Sequence, residues 1–166
     1  MSRVSLIGNV NWELSRAGEV LRHGHSKNLV TQVGDQLYAE RGAAIASPPA
    51  TPTGMKLGTG STAASKAGAG AALTTYLTDS HLAFDATYPK SSLSGSARRI
   101  TYICTYGPGK ATSASPITEA VIVNEALANA TSVAAATVAR ALLLGIGSKG
   151  AGETLTITWT HDLMGA

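Results

Sequence analysis

Between Thr154 and His161 the chain alternates without a break. Leu155, Ile157, Trp159 and His161 fall on one side, and Thr154, Thr156, Thr158 and Thr160 on the other. A period of two belongs to a β-strand, because successive side chains of an extended backbone leave on opposite faces. Threonine is β-branched and polar, so this strand has one buried face and one wet or interfacial face. Such a strand needs neighbours, and the second half of the chain supplies them. Ile100, Tyr102, Cys104 and Tyr106 share a face opposite Thr101, Ile103 and Thr105. Ile117, Glu119, Val121 and Val123 alternate with Thr118, Ala120, Ile122 and Asn124. The apolar segment Thr137–Leu144 fits helix or strand by periodicity alone. The short Gly-rich loop 145–152 after it favours a strand antiparallel to the last one.

The first half is less regular. Val4, Leu6, Val10 and Trp12 suit an extended segment, Ser15–Gly18 a turn, and Glu19–His25 an antiparallel return. Ser26 is read as a helix N-cap, with Leu29, Val30, Val33 and Leu37 forming one apolar face and Gly42 ending the helix. Pro48, Pro49 and Pro52 exclude a helix or central strand where they stand. Met55–Gly60 reads as a short strand and tight turn, and His81–Tyr88 as extended, closed by Pro89. Strands follow one helix without a βαβ rhythm. The expectation is therefore a mainly β fold, an antiparallel β-sandwich or jelly-roll-like module. Residues 1–25 form an extended N-terminal arm, and 26–166 a single domain led by a helix over 26–41. Its 166 residues are one domain's worth.

Charge and cysteine content remove several function classes. Only 14% of residues are charged, and the net charge is +3, against about 25% charged in an average domain. No basic run exceeds Arg98-Arg99, so direct nucleic-acid binding is not expected. Cys104 is the single cysteine, which excludes an internal disulfide and a cysteine zinc cluster. No apolar run approaches the roughly 20 residues of a membrane span, and no apolar signal region follows Met1-Ser2-Arg3.

Catalytic signatures are equally scarce. No Gly-x-Ser-x-Gly occurs, and Gly107–Thr112 echoes a phosphate loop without its leading glycine, with Pro108 removing a backbone donor. His23 and His25 would share one face of a strand and are able to share a metal, but exposed loop histidines are the simpler reading. His161-Asp162 reads as a strand end before a triad member. Glu119 and Glu125 flank one strand with nothing pairing them as acid and base. No catalytic residue, metal or cofactor is assigned. A carbohydrate-binding module would need aromatic platforms, and aromatics are 5% of the chain.

Contact residues are easier to nominate. Val4, Leu6 and Trp12 lie in the arm, and Trp12 serves either a subunit interface or the chain's own core. Arg98 and Arg99 either grip an acidic partner or phosphate, or end a strand in solvent. Thr154, Thr156, Thr158 and Thr160 either line an oligomer interface or face water.

Several short segments carry a resemblance. Asn28–Gly34 opens a helix, Lys56-Leu57-Gly58-Thr59-Gly60 forms a turn, Ile117-Thr118-Glu119 starts a strand, and Thr154–Trp159 closes the chain. In this order they resemble small structural proteins of tailed-bacteriophage virions, from about Lys27 to the C-terminus. The resemblance implies a capsid decoration or cement protein, or a tail, fibre-base or head-to-tail component. It also implies a symmetric homo-oligomer, dimer or trimer, bound to the major capsid protein or to tail proteins. Such a protein would be made in the host cytoplasm without a signal peptide and end in the virion, with no membrane contact.

Overall fold

The computed structural model describes the backbone of residues 4–165 and the side chains of 5–164. Nine strands form one antiparallel sheet. They are β1 (Val4–Arg16), β2 (Glu19–Val30), β3 (Gly54–Gly58), β4 (Leu82–Ala83), β5 (Lys90–Ser94), β6 (Ala97–Tyr106), β7 (Glu119–Val123), β8 (Thr137–Leu142) and β9 (Glu153–Gly165). One helix, α1 (Gln32–Gly42), follows β2. The spatial order is β4-β3-β7-β8-β2-β1-β9-β6-β5, and the sheet curls into a half-barrel. The chain is thus mainly β and antiparallel, as its alternation requires.

The N-terminal segment is extended but is not an arm. β1 pairs with β2 on one side and with β9 along its whole length on the other, from Val4↔Gly165 to Arg16↔Glu153. A two-residue turn joins β1 to β2, with Ala17 at φ 51° and Gly18 at φ 84°. Positive φ at both central residues gives a turn whose twist matches the flanking strands. Val10, Trp12 and Leu14 point inward and are buried. Truncation to Asn11 would therefore remove more than half of a central strand.

The inner faces of β1, β9 and β6 meet those of β3, β7 and β8 in one core. Val10, Trp12 and Leu14 join Leu155, Ile157, Trp159, Tyr102, Cys104 and Tyr106 on one side. Met55, Leu57, Ala120, Ile122, Ala139 and Ala141 face them. β7 is buried on both faces, so its second face packs too: Val121 and Val123 contact Leu73, with Tyr76 and Leu127 alongside. β8 pairs with β7 and β2 rather than with β9. The Gly-rich loop after it carries the chain across the core, so the short-loop rule does not apply there.

The helix starts later than its periodicity suggests. Leu29 and Val30 remain in β2, where Val30 pairs with Ala139, and the N-cap is Thr31 rather than Ser26. Thr31 Oγ1 accepts from Gly34 N at 3.2 Å and donates to the Thr137 carbonyl. The ladder offered by β8 outcompetes helix propensity across residues 28–30, since propensity is a weak prior beside tertiary pairing. Thr31→Ala is expected to lower stability by about 1–2 kcal/mol in urea denaturation. Ser26→Ala should change it by less than about 0.5 kcal/mol. The reverse order would reinstate Ser26 as the cap.

Candidate functional site: an open sheet face over a buried histidine

Side chains of β2, β1, β9 and β6 that point away from the core form an uncovered polar face. The register sets them in rows. His23, Glu13, Thr156 and Thr105 form one row, and His25, Asn11, Thr158 and Ile103 the next. Lys27, Asn9, Thr160 and Thr101 form the third. Asn11, Glu13, His23 and Thr105 are exposed, and Thr156 and Thr158 half-buried. A shallow depression of about 350 Å³ lies here, lined by Asn11, Trp12, Glu13, His23, Gly24, Thr156 and Thr158. The next row holds Ile7, Asp162 and Arg99, and Arg99 grips Asp162 in a two-pronged pair at 2.7 and 2.8 Å. Those hydrogen bonds hold the Asp162 carboxyl below the usual carboxylate range.

Beneath this face lies a neutral polar network. His161 is fully buried. Trp159 Nε1 and Asn28 Nδ2 approach its Nε2 at 3.1 and 2.9 Å. Two donors aimed at Nε2 assign the proton to Nδ1, which donates to Tyr38 Oη at 2.6 Å. Tyr38 in turn donates to Tyr102 Oη at 2.8 Å. Asn28 reaches His161 by crossing Gly8, where a Cβ would come within 1.4 Å of its amide oxygen. Burial pushes the His161 imidazole down to about 4, against a smaller opposing pull from Asp162. Burial pushes both tyrosine hydroxyls up. The network therefore holds orientation and no charge at neutral pH.

Buried charges elsewhere act as fasteners. Arg140 and Glu119 are both fully buried and meet at 2.7 Å. Glu119 also accepts from the amides of Gly60 (3.1 Å), Thr74 (3.2 Å) and Thr75 (2.8 Å), and Arg140 donates to the Gly70 carbonyl. The loop between β3 and β4 is thereby tied to the sheet. Lys56 reaches Glu125 at 2.8 Å and the Ala130 carbonyl at 2.9 Å, closing the loop after β7. Lys149 donates to the carbonyls of Gly107 and Glu153, and burial pushes its ammonium down. Glu119 and Glu125 are thus each committed to a cation. Cys104 is buried, and burial pushes its thiol up.

The nominated contact residues do not converge. Val4 pairs with Gly165 through its backbone, and its side chain lies outside the described residues. Leu6 is half-buried in an apolar cleft of about 330 Å³ with Asp35, Tyr38, Ala39 and Leu163. Trp12 is 4% exposed and belongs to the chain's own core. Arg98 is exposed, whereas Arg99 is engaged by Asp162. Thr154, Thr156 and Thr158 stand on the outer face, half-buried, and Thr160 is buried. Among the described residues, no three metal-ligating side chains converge and no helix is long and apolar enough to cross a membrane. The periodicity of β9 gave no sign of the Tyr38–His161–Tyr102 chain, because its members come from three separate segments. The isolated charges Glu119 and Arg140, each inside an apolar strand, were a signal that an ion pair sits between them.

The histidine network makes stability pH-dependent. An imidazole whose folded pKa lies below its ordinary 6.5 stabilises the fold fully above pH 6.5. That contribution falls as pH drops toward 4, by about 3 kcal/mol over the window. Urea midpoints measured at pH 7 and pH 4.5 should show the loss in the parent chain. His161→Gln should flatten it, leaving only the steeper carboxylate-driven loss at lower pH. A parallel slope in both proteins would place the titration elsewhere. Comparison of the chain with protein-family models, with curated proteins and with solved structures returns no match.

Proposed function

We propose that this chain is a structural protein of a tailed-bacteriophage virion, a capsid decoration or cement protein that binds the outside of the major capsid lattice. The motif resemblance supplies the class, and the open face of β2, β1, β9 and β6 is the observation that carries the role. That face is wide, rich in Thr and Asn and low in net charge. Its positions are held by a stiff, doubly paired β1–β9 core. A surface of this kind suits many modest contacts repeated over a lattice, where symmetry multiplies weak affinity. In this reading the two halves of the curled sheet act as the layers of a sandwich-like module. Binding the expanded shell more tightly than free capsomers shifts shell stability by mass action.

Expanded shells lacking the protein provide the test. Saturation at a copy number set by the lattice, with a raised shell melting temperature, is the expected outcome. Binding at a few copies, or to tails alone, would move the protein to the vertex or tail. Binding to no virion part would overturn the reading. Asn11→Arg with Thr158→Glu, a directly opposed pair of opposite charge, should weaken shell binding at least about tenfold, equivalent to about 1.4 kcal/mol, while leaving the chain's own melting temperature within a few degrees.

A further inference from the structure

The sheet is incomplete along β2. β8 joins β2 only at Asn28–Val30, and the remaining stretch, Glu19–Lys27, pairs with β1 alone. Among the described residues no backbone hydrogen bond from another segment reaches its second edge. Arg22 alone anchors the stretch sideways, through a side-chain bond to the Ser148 carbonyl. Leu14 pairs with Arg22 and Ser15 with Val20, so Leu21 is bulged and Arg22–Lys27 is the regular part of the free edge. A free edge is a template for another strand, and this one lacks the proline that commonly blocks such pairing.

A second observation falls on the same stretch. Among the described residues, five buried side-chain polar atoms have no hydrogen-bond partner, and three are Trp12 Nε1, Ser26 Oγ and Asn28 Oδ1. Ser26 and Asn28 belong to β2 itself. The Trp12 indole lies against Gly24, where a Cβ would come within 2.4 Å of the ring. Buried polar atoms are nearly always satisfied, and Ser26 lies on the free stretch, so its unpartnered hydroxyl marks an edge that something else completes.

We propose that a second copy of this chain pairs antiparallel with Arg22–Ser26 about a two-fold axis at Gly24, and that His23 and His25 of both copies hold one divalent transition-metal ion across the seam. The sequence selects the register. With the axis at Gly24, Arg22 stands across from Ser26 of the partner subunit and brings a donor to its unpartnered hydroxyl. Moving the axis to His25 would set Arg22 against Asn28 of the partner subunit, where β8 already fills the edge. Moving it to His23 would bring the bulged Leu21 into the ladder.

The chosen register puts His23 beside His25 of the partner subunit, and His25 beside His23 of the partner subunit. All four imidazoles project from the exposed outer face, with directly opposed Cβ atoms about 5 Å apart. Four neutral imidazoles are a donor set suited to Zn²⁺ or Ni²⁺ at about 2.0–2.1 Å from each nitrogen. Among the described residues one chain alone brings no three ligands together, so the site needs the second copy. The proposal is independent of the virion reading, because it concerns the free chain in solution.

Sedimentation velocity of the purified full chain with Zn²⁺ and with EDTA tests it, together with calorimetric zinc titration. Zinc should tighten dimerisation at least about tenfold, bind at one ion per two chains, and be reversed by EDTA. His23→Ala with His25→Ala changes two exposed side chains, so the fold should persist in circular dichroism while the zinc response is lost. A monomer under every condition would overturn the seam. One zinc per chain without dimerisation would place the ion on His23 and the facing Glu13 of a single chain and overturn the shared site. A zinc response that survives the double variant, or a dimer indifferent to zinc, would overturn the metal assignment.

Discussion

The pairing of β1 with β9 is the constraint on which the rest of the structure depends. Thirteen-residue strands from opposite ends of the chain run side by side in unbroken register. Each then recruits its own neighbour, β2 on one side and β6 on the other. Side chains from both strands make the inner wall of the core, and the same alternation sends Asn, Glu and Thr outward. The core and the open face are thus two sides of one register. A slip by one residue would exchange them, which is why the strict Thr alternation matters.

Polar groups inside the fold are used to hold loops. Glu119 and Arg140 sit on the loop-covered side of β7 and β8, and their hydrogen bonds end on backbone groups of the segment that covers them. A buried ion pair of this kind adds little net stability against an apolar alternative, but losing one partner strands the other charge. Its contribution is to specify where the long connection after β3 must lie. Lys56 with Glu125 does the same for the connection after β7. The His161 network orients α1 over the β9 end of the sheet through Tyr38.

Strands with a strong period were legible from the sequence. The faces of β6 and β9, the apolar run of β7 and the turn at Ala17-Gly18 follow from alternation and turn chemistry alone. Order within the sheet did not follow. Local pattern says nothing about which distant strand β1 will meet, so a sheet-central strand reads as an arm. Leu29 and Val30 satisfy helical spacing as well as strand spacing, and only the edge of β8 decides between them. The buried network was hidden for the same reason: Asn28, Tyr38, Tyr102 and His161 are unremarkable singly and gain meaning only once the sheet brings them together. The open Thr face was visible in the sequence, but its neighbours Asn11, Glu13 and His23 were not.

The register between the chain's two ends also dictates an order of assembly. Thr160 bonds the Asn9 carbonyl across 151 positions of sequence, and every rung of that ladder spans a comparable loop. Closing such loops is the slow part of forming a sheet, because chain entropy is lost before the contacts that reward it. During synthesis, β1 and β2 can form their hairpin early, with Trp12 and Leu14 still facing water. Until β9 is made, the hairpin lacks the neighbour that completes its sheet. β9, made after every other strand of the sheet, is therefore the segment that converts an exposed apolar ribbon into a closed core.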